Sequence, residues 1–179
     1  VRTSDPERTA ALRWLAVTMD QLVTRQRGDG IYAGLPWFSE YWGRDSFIAL
    51  PGALLVTGRF ETARAVLTSF AEFMDMDPAS RFYGRVPNIV RPEELDYHTT
   101  DGTPRFVIAL RDYLRYSGDT DLAVELFPRV RASIEGALDN WTDTHGYLTH
   151  EANETWMDAR REPDKVAYSP RDTRANDIQ

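Results

Sequence analysis

Cysteine is absent from the 179-residue sequence, which also holds only three histidines and a single lysine, Lys165. Without cysteine the chain can form neither disulfides nor thiolate zinc sites. His98, His145 and His150 fall in loop-like sequence and lack the i, i+4 spacing that puts two ligands on one helix face, so we expect no metal site. The sequence has no apolar run of transmembrane length and no signal-peptide pattern. We therefore expect no membrane partner and a cytoplasmic location.

Positive charge is also scarce. The formal net charge is −7 and the pI is near 5.0, which argues against nucleic acid as a partner. Arginine supplies the other 20 basic residues, and these are scattered along the chain. The remaining composition, with 42% hydrophobic and 27% charged residues, is typical of one globular domain with a substantial core.

Hydrophobic periodicity predicts five helices separated by turns and two long loops. The predicted helices begin near residues 5, 45, 60, 103 and 119, with a bend at Pro51 in the second and a break at Pro128 in the fifth. No alternation of polar and apolar residues supports a sheet. We therefore expect an all-α fold of helix pairs, in which alternate connections carry the functional residues.

The first of these connections, residues 34–45, concentrates aromatic and charged side chains between two glycines and a proline. Arg44 offers five N–H donors in a rigid plane, whereas Asp45 only accepts hydrogen bonds. With flat aromatic walls beside them, these two groups suit a neutral ligand rich in hydroxyls, such as a sugar. The alternative is a structural loop whose aromatics fill the core while Arg44 and Asp45 pair with each other.

Three later segments have the same character: residues 84–88, 97–102 and 155–159. Each places a hydrogen-bonding side chain beside an aromatic or turn residue. Taken singly, each segment is a weak signal. Asp101, for example, could simply cap the fourth helix.

Taken together and in this order, the segments resemble the amylo-α-1,6-glucosidase half of glycogen debranching enzymes. The resemblance rests on Trp42-Gly43-Arg44-Asp45, Val86-Pro87-Asn88, Tyr97 to Asp101, Thr155-Trp156-Met157-Asp158 and Ser169-Pro170-Arg171. It implies an (α/α)6 toroid of which residues 1–179 are the N-terminal part, a single partial catalytic domain. It also implies a hydrolase that removes α-1,6-linked glucose from branch points of glycogen or α-glucan, with inversion and without a cofactor.

The resemblance also implies roles for particular residues. Asp158 matches the general acid. The residues implied in substrate binding are Trp37, Phe38, Trp42, Arg44, Asp45, Asn88, Asp101, Trp156 and Asp177. An inverting glycosidase needs a protonated carboxyl on the leaving oxygen and a carboxylate that activates water. Shielding by Trp156 and Met157 would favour the protonated form of Asp158. The structural alternative is an ion pair of Asp158 with Arg160, Arg161 or Arg171.

The family's catalytic base lies beyond the matched region, so we expect this chain alone to be inactive, with the rest of the same domain as its partner. Two other functions stay open at this stage. One is another (α/α)6 exo-glycosidase of glucoamylase or trehalase type. The other is a non-catalytic module that binds carbohydrate or another helical chain.

Overall fold

The computed structural model describes residues 2–161, 164, 166–171, 173–175 and 178. Each of the predicted helices is present. Their bounds are α1 (Pro6–Leu22), α2 (Gly43–Leu50), α3 (Phe60–Glu72), α4 (Gly102–Ser117) and α5 (Thr120–Asn140), and one turn of π-helix, Pro51–Leu55, continues α2.

The prediction of an all-α fold is wrong, because the chain also forms two antiparallel sheets. Five strands lie side by side in chain order: β1 (Val23–Thr24), β2 (Gly30–Gly34), β3 (Phe38–Trp42), β4 (Ile89–Val90) and β5 (Leu95–Asp96). A separate pair consists of β6 (Arg160–Arg161) and β7 (Val166–Ala167). The predicted toroid is not seen among the described residues.

The strands were not predicted because they are only two to five residues long, which is too short for a clear alternation of polar and apolar side chains. The supposed aromatic loop is a hairpin of β2 and β3, in which Tyr32 lies opposite Tyr41. Next to it, Trp42 lies opposite Ile89 of β4. The sheet therefore brings the end of the aromatic segment beside the residues that follow Pro87.

The hydrophobic core joins α2, α3 and α4. Phe47 of α2 packs edge-on against Phe70 of α3 and Phe106 of α4, with ring centroids 4.9 and 5.5 Å apart. All three rings are almost fully buried. This packing fixes the first turn of α2, which carries Arg44 and Asp45, relative to the start of α4.

Pro128 lies inside α5 without ending it, so the predicted break of this helix is wrong. A proline in a helix interior costs about 3 kcal/mol, because it removes one backbone hydrogen bond. Leu122 and Leu126, on the N-terminal side of Pro128, are buried in the core. Burial of such side chains contributes roughly 1.5–3 kcal/mol each, which offsets the cost of the proline.

Two helices present large apolar side chains to solvent. No residue of α1 is buried, and Trp14 is 72% exposed. On α5, Phe127 and Leu138 are more than 60% exposed. None of the described helices combines the length and the hydropathy needed to cross a membrane.

The backbone of the loop before β4 packs directly on α5. A Cβ added to Gly136 of α5 would lie 1.9 Å from the carbonyl oxygen of Tyr83. In the opposite direction, a Cβ on Gly84 would lie 2.1 Å from the carbonyl oxygen of Ala132. The loop and the helix can meet this closely only because both positions are glycine.

We predict that Gly136→Ala destabilises the chain by about 1–3 kcal/mol, because the backbone at Tyr83 must move to admit the methyl group. Gly52→Ala is the matched control, since nothing lies within 4 Å of a Cβ there. Urea unfolding of the two variants and the parent chain measures the difference. Equal stability of the Gly136 and Gly52 variants would contradict this account of the packing.

Candidate active site

Arg44 sits in the first turn of α2, where the chain leaves β3. The glycine before it permits a close crossing. A Cβ on Gly43 would lie 2.5 Å from the carbonyl oxygen of Pro87, and the Gly43 N–H donates to the carbonyl of Asn88 at 2.7 Å. The glycine of the Trp-Gly-Arg-Asp segment therefore brings Asn88 alongside Arg44.

The Arg44 guanidinium is shared by two carboxylates from distant parts of the chain. Its Nε donates to Asp101 at 2.7 and 3.0 Å, and its Nη1 donates to Oδ2 of Asp158 at 2.9 Å. A longer contact of 3.5 Å joins Nη2 to the hydroxyl of Thr99. The side chains of Arg44 and Asp101 are each only 9% exposed. Arg44 thus holds together segments that are 57 and 114 residues away in sequence.

Asp101 precedes α4, but its side chain does not cap the helix. The Thr99 hydroxyl accepts from the Gly102 N–H instead and donates to Asp101. Arg105, one turn into α4, makes a weaker contact with Asp101 at 3.4 Å. Burial alone would raise the pKa of Asp101, but the hydrogen bonds and charge of Arg44 lower it below its usual value.

Asp158 pairs with Arg44, whereas Arg161 pairs with Asp164. Arg160 pairs instead with Asp96, at 3.6 Å. The side-chain amide of Asn88 also points its nitrogen at Oδ2 of Asp158, at 3.4 Å. Both contacts use Oδ2, and within the described part of the chain Oδ1 accepts no hydrogen bond.

Asp45 lies beside this cluster, in the first turn of α2, with an exposed side chain. Partial loss of hydration raises the pKa of its carboxyl, and Arg44 acts in the opposite direction. The negative charges of Asp158 and Asp101 add to the upward shift of this pKa. Asp45 does not form the ion pair with Arg44 that the structural alternative required; Arg44 pairs with Asp101 and Asp158.

The aromatic residues differ in how far their side chains are exposed to solvent. Trp42 is half-buried and meets Phe38 edge-on, with ring centroids 6.0 Å apart. Trp37 lies at the tip of the β2–β3 hairpin and is 82% exposed. Trp156, two residues before Asp158, is 60% exposed. The structure thus brings Trp42, Asn88, Arg44, Asp101 and Asp158 close together, while Trp37 lies in the turn before β3, at the opposite end of that strand from Trp42.

Two buried polar atoms beside the cluster lack partners among the described residues: the indole nitrogen of Trp42 and Oδ1 of Asn88. Trp42 lies opposite Ile89 of β4, and Asn88 immediately precedes Ile89 in the chain. An unpaired buried polar atom costs on the order of 1–3 kcal/mol. A ligand hydroxyl that reached either atom would recover part of this cost.

Glu154 and Arg85 form a second buried ion pair, which lies outside the set of residues predicted to donate the proton or bind substrate. Arg85 Nη1 donates to Glu154 Oε1 at 2.8 Å, and the two side chains are 6% and 0% exposed. Arg85 stands in the segment that carries Asn88, and Glu154 immediately precedes the segment that carries Asp158. Because Glu154 is fully buried and already paired, it cannot activate a water molecule in this structure.

No group of three or more acidic or histidine side chains suited to a metal ion occurs among the described residues. A groove of about 400 Å³ runs between α4 and α5, but its lining contains none of the carboxylates. We therefore locate the candidate site at the Arg44 cluster. Asp177, predicted to touch substrate, lies outside the described residues.

Comparison with known proteins defines the class of protein. The amylo-alpha-1,6-glucosidase family matches residues 14–179, and the chain belongs to this family. It is 33% identical over 120 residues to the glycogen debranching enzyme of Saccharomyces cerevisiae. That alignment covers 59% of this chain but only 7% of the yeast protein, so the chain spans a small part of the length of this relative.

The ion pair between Arg44 and Asp101 leads to a prediction about stability. Asp101→Asn leaves the buried Arg44 with one carboxylate fewer, and we expect a loss of roughly 3 kcal/mol at pH 7. Because the folded-state pKa of Asp101 lies below its unfolded value, the stability it contributes is present above about pH 4. This contribution is lost as the pH falls through the folded-state pKa.

Urea unfolding at pH 7 and near pH 3 measures this difference, which should shrink at the lower pH. Glu135→Gln, which removes the exposed ion pair of Glu135 with Arg131, is the control and should change stability far less, because solvent screens an exposed pair. If the difference in unfolding free energy between Asp101→Asn and the parent chain stays constant with pH, the role given to the Asp101 charge is contradicted.

Proposed function

We propose that this chain carries the proton-donating part of an inverting glucosidase site, which hydrolyses the α-1,6-linked glucose at branch points of glycogen or a related α-glucan. The family membership supports the class of reaction. The observation that carries the proposal is the double ion pair of Arg44, which brings the Trp-Gly-Arg-Asp and Thr-Trp-Met-Asp segments to one place.

In this proposal Asp158 is the general acid. Arg44 and Asn88 orient it through Oδ2, so Oδ1 is the oxygen that can carry the proton to the leaving group. The charge balance is favourable for such a role. Asp101 already balances the charge of Arg44, and Asp45 adds a further carboxylate nearby. A proton on one of three clustered carboxyls relieves their mutual repulsion.

The same cluster offers groups that suit a glucose unit. Arg44 has five N–H donors, and its described contacts engage three of them. Asp45 is exposed and accepts hydrogen bonds, and Trp42 contributes an indole N–H that has no partner within the described part of the chain. Trp156 and Phe38 present exposed aromatic faces on which a sugar ring can stack. Trp37, at the hairpin tip, would contact a more distant part of the glucan.

Two substitutions separate the proposed roles of the carboxylates in an active enzyme that contains this chain. Asp158→Asn should reduce kcat on a branched dextrin by roughly 10²–10⁴-fold, since it removes proton donation. It should spare α-glucosyl fluoride, because fluoride leaves without a proton. Asp45→Asn should lower kcat/KM on both substrates by an amount equivalent to about 1.5–3 kcal/mol, since it removes a charged hydrogen bond to the sugar.

Glucose release and fluoride release measure these effects. Equal losses on both substrates in Asp158→Asn would contradict its role as the acid. Unchanged kinetics in Asp45→Asn would mean that this residue only stabilises the first turn of α2 and does not contact the sugar.

We also expect the 179-residue chain by itself to bind α-glucan weakly and to release no glucose. The proposed acid is present, but Glu154 is buried against Arg85 and no described carboxylate is assigned to water activation. The exposed apolar faces of α1 and α5 favour association of the isolated chain. Glucose release from a branched dextrin, with Asp158→Asn as the control, tests this. Robust release that Asp158→Asn abolishes would show that a base lies within these residues.

A further inference from the structure

Glu154 makes contacts in three directions at once. Its Oε1 accepts from Arg85 at 2.8 Å, and its Oε2 accepts from the N–H of Glu151 at 2.9 Å. Its backbone carbonyl accepts from the N–H of Thr100, also at 2.8 Å. The side chain therefore closes a turn in its own segment, while the backbone ties that segment to residues 99–101.

Arg85 is itself held in place by aromatic rings. Its guanidinium lies 3.6 Å from the centroid of the Trp141 ring and 5.6 Å from that of Phe82. The rings of Trp141 and Phe82 are nearly parallel, at 9°. Arg85 also donates to the carbonyl of Tyr97 at 3.3 Å. Burial lowers the pKa of Arg85, while the charge of Glu154 acts in the opposite direction.

These contacts connect the two carboxylates that share Arg44. Thr100 immediately precedes Asp101, and Glu154 lies four residues before Asp158. Thr155, next to Glu154, is fully buried, and its hydroxyl accepts from the N–H of Met157 at 3.2 Å. Residues 154 and 155 are thus anchored in the interior, and the chain turns directly from them to Asp158. No helix or strand holds residues 151–158 in place.

We propose that the buried Arg85–Glu154 pair is a positioning device, which sets Asp158 relative to Asp101 and Arg44. Neither residue touches the reacting atoms in this proposal. A buried ion pair adds little net stability compared with apolar packing, so its distinctive contribution is a fixed geometry. The pair therefore determines whether Oδ1 of Asp158 stands where the leaving group needs a proton.

The first test is amide hydrogen exchange of the 179-residue chain, which needs no enzymatic activity. In Glu154→Gln and in Arg85→Lys we expect exchange of the Thr100 N–H and of residues 151–158 to accelerate by roughly tenfold or more. The core amides of α3 should keep their protection. Glu151→Gln is the matched control: it lies in the same segment and removes the half-exposed ion pair with Arg81, but it leaves the hydrogen bonds of Glu154 to Arg85 and to the Thr100 N–H in place, so exchange at Thr100 should not change.

Two outcomes of this experiment would overturn the proposal. One is unchanged exchange at Thr100 and residues 151–158 in a folded variant. The other is loss of protection throughout α3 and α4 in both Glu154→Gln and Arg85→Lys, which would make the pair a general element of stability. The conservative Arg85→Lys variant keeps the charge, so the test does not depend on the folding of Glu154→Gln alone.

The second test rests on the proposed glucosidase function and uses an active enzyme that contains this chain. Glu154→Gln should lower kcat on a branched dextrin by about tenfold with KM nearly unchanged, and it should leave hydrolysis of α-glucosyl fluoride intact. Equal losses on both substrates would contradict positioning of the acid. If the parent enzyme does not hydrolyse dextrin, the proposed function fails, whereas the exchange experiment still decides the positioning role.

Discussion

The burial of Arg44 is the constraint to which the rest of the site conforms. A guanidinium removed from water is stable only if carboxylates and hydrogen-bond acceptors replace its hydration. Asp101, Asp158 and Thr99 do this together, and they come from two segments that share no secondary structure with α2. The close passage of Pro87 over Gly43 then closes one side of the cluster. A change in any of these segments therefore alters the environment of a buried charge.

The second buried pair, Arg85 with Glu154, involves the same two segments as the first, namely those that carry Asp101 and Asp158. Residues 99–101 supply Asp101 to Arg44 and the Thr100 N–H to Glu154. The two arginines are thus linked through a short piece of backbone that stands at the start of α4. Such linkage has a physical consequence, because two ion pairs that share a rigid support restrict each other's geometry more than two isolated pairs would.

The sequence predicted the helices better than it predicted the architecture. The apolar stripes of α3 and α4 are long enough to show the helical period, and the packing of Phe70 and Phe106 agrees with them. The five-stranded sheet was missed, since strands of two to five residues rich in glycine and aromatics show no clear alternation. The helix cap considered for Asp101 was wrong, because a buried arginine 57 residues away competes for the same carboxylate. Such a contact has no local signature in the sequence.

The groups of the site differ in how firmly the fold holds them. Arg44 and Asp101 stand at the first turns of helices whose inner faces are packed in the core, so their backbone positions follow from the packing of Phe47 and Phe106. Asp158 has no such support and depends on side-chain contacts with Arg44 and on the anchor at Glu154. A proton donor must be placed within a fraction of an ångström of the leaving oxygen, whereas a group that only binds substrate tolerates more error. In the proposed function Asp158 is this proton donor, so the residue with the strictest geometric requirement would be the one with the least support from secondary structure. On this proposal, two buried ion pairs that are costly to desolvate converge on the short segment that carries the acid.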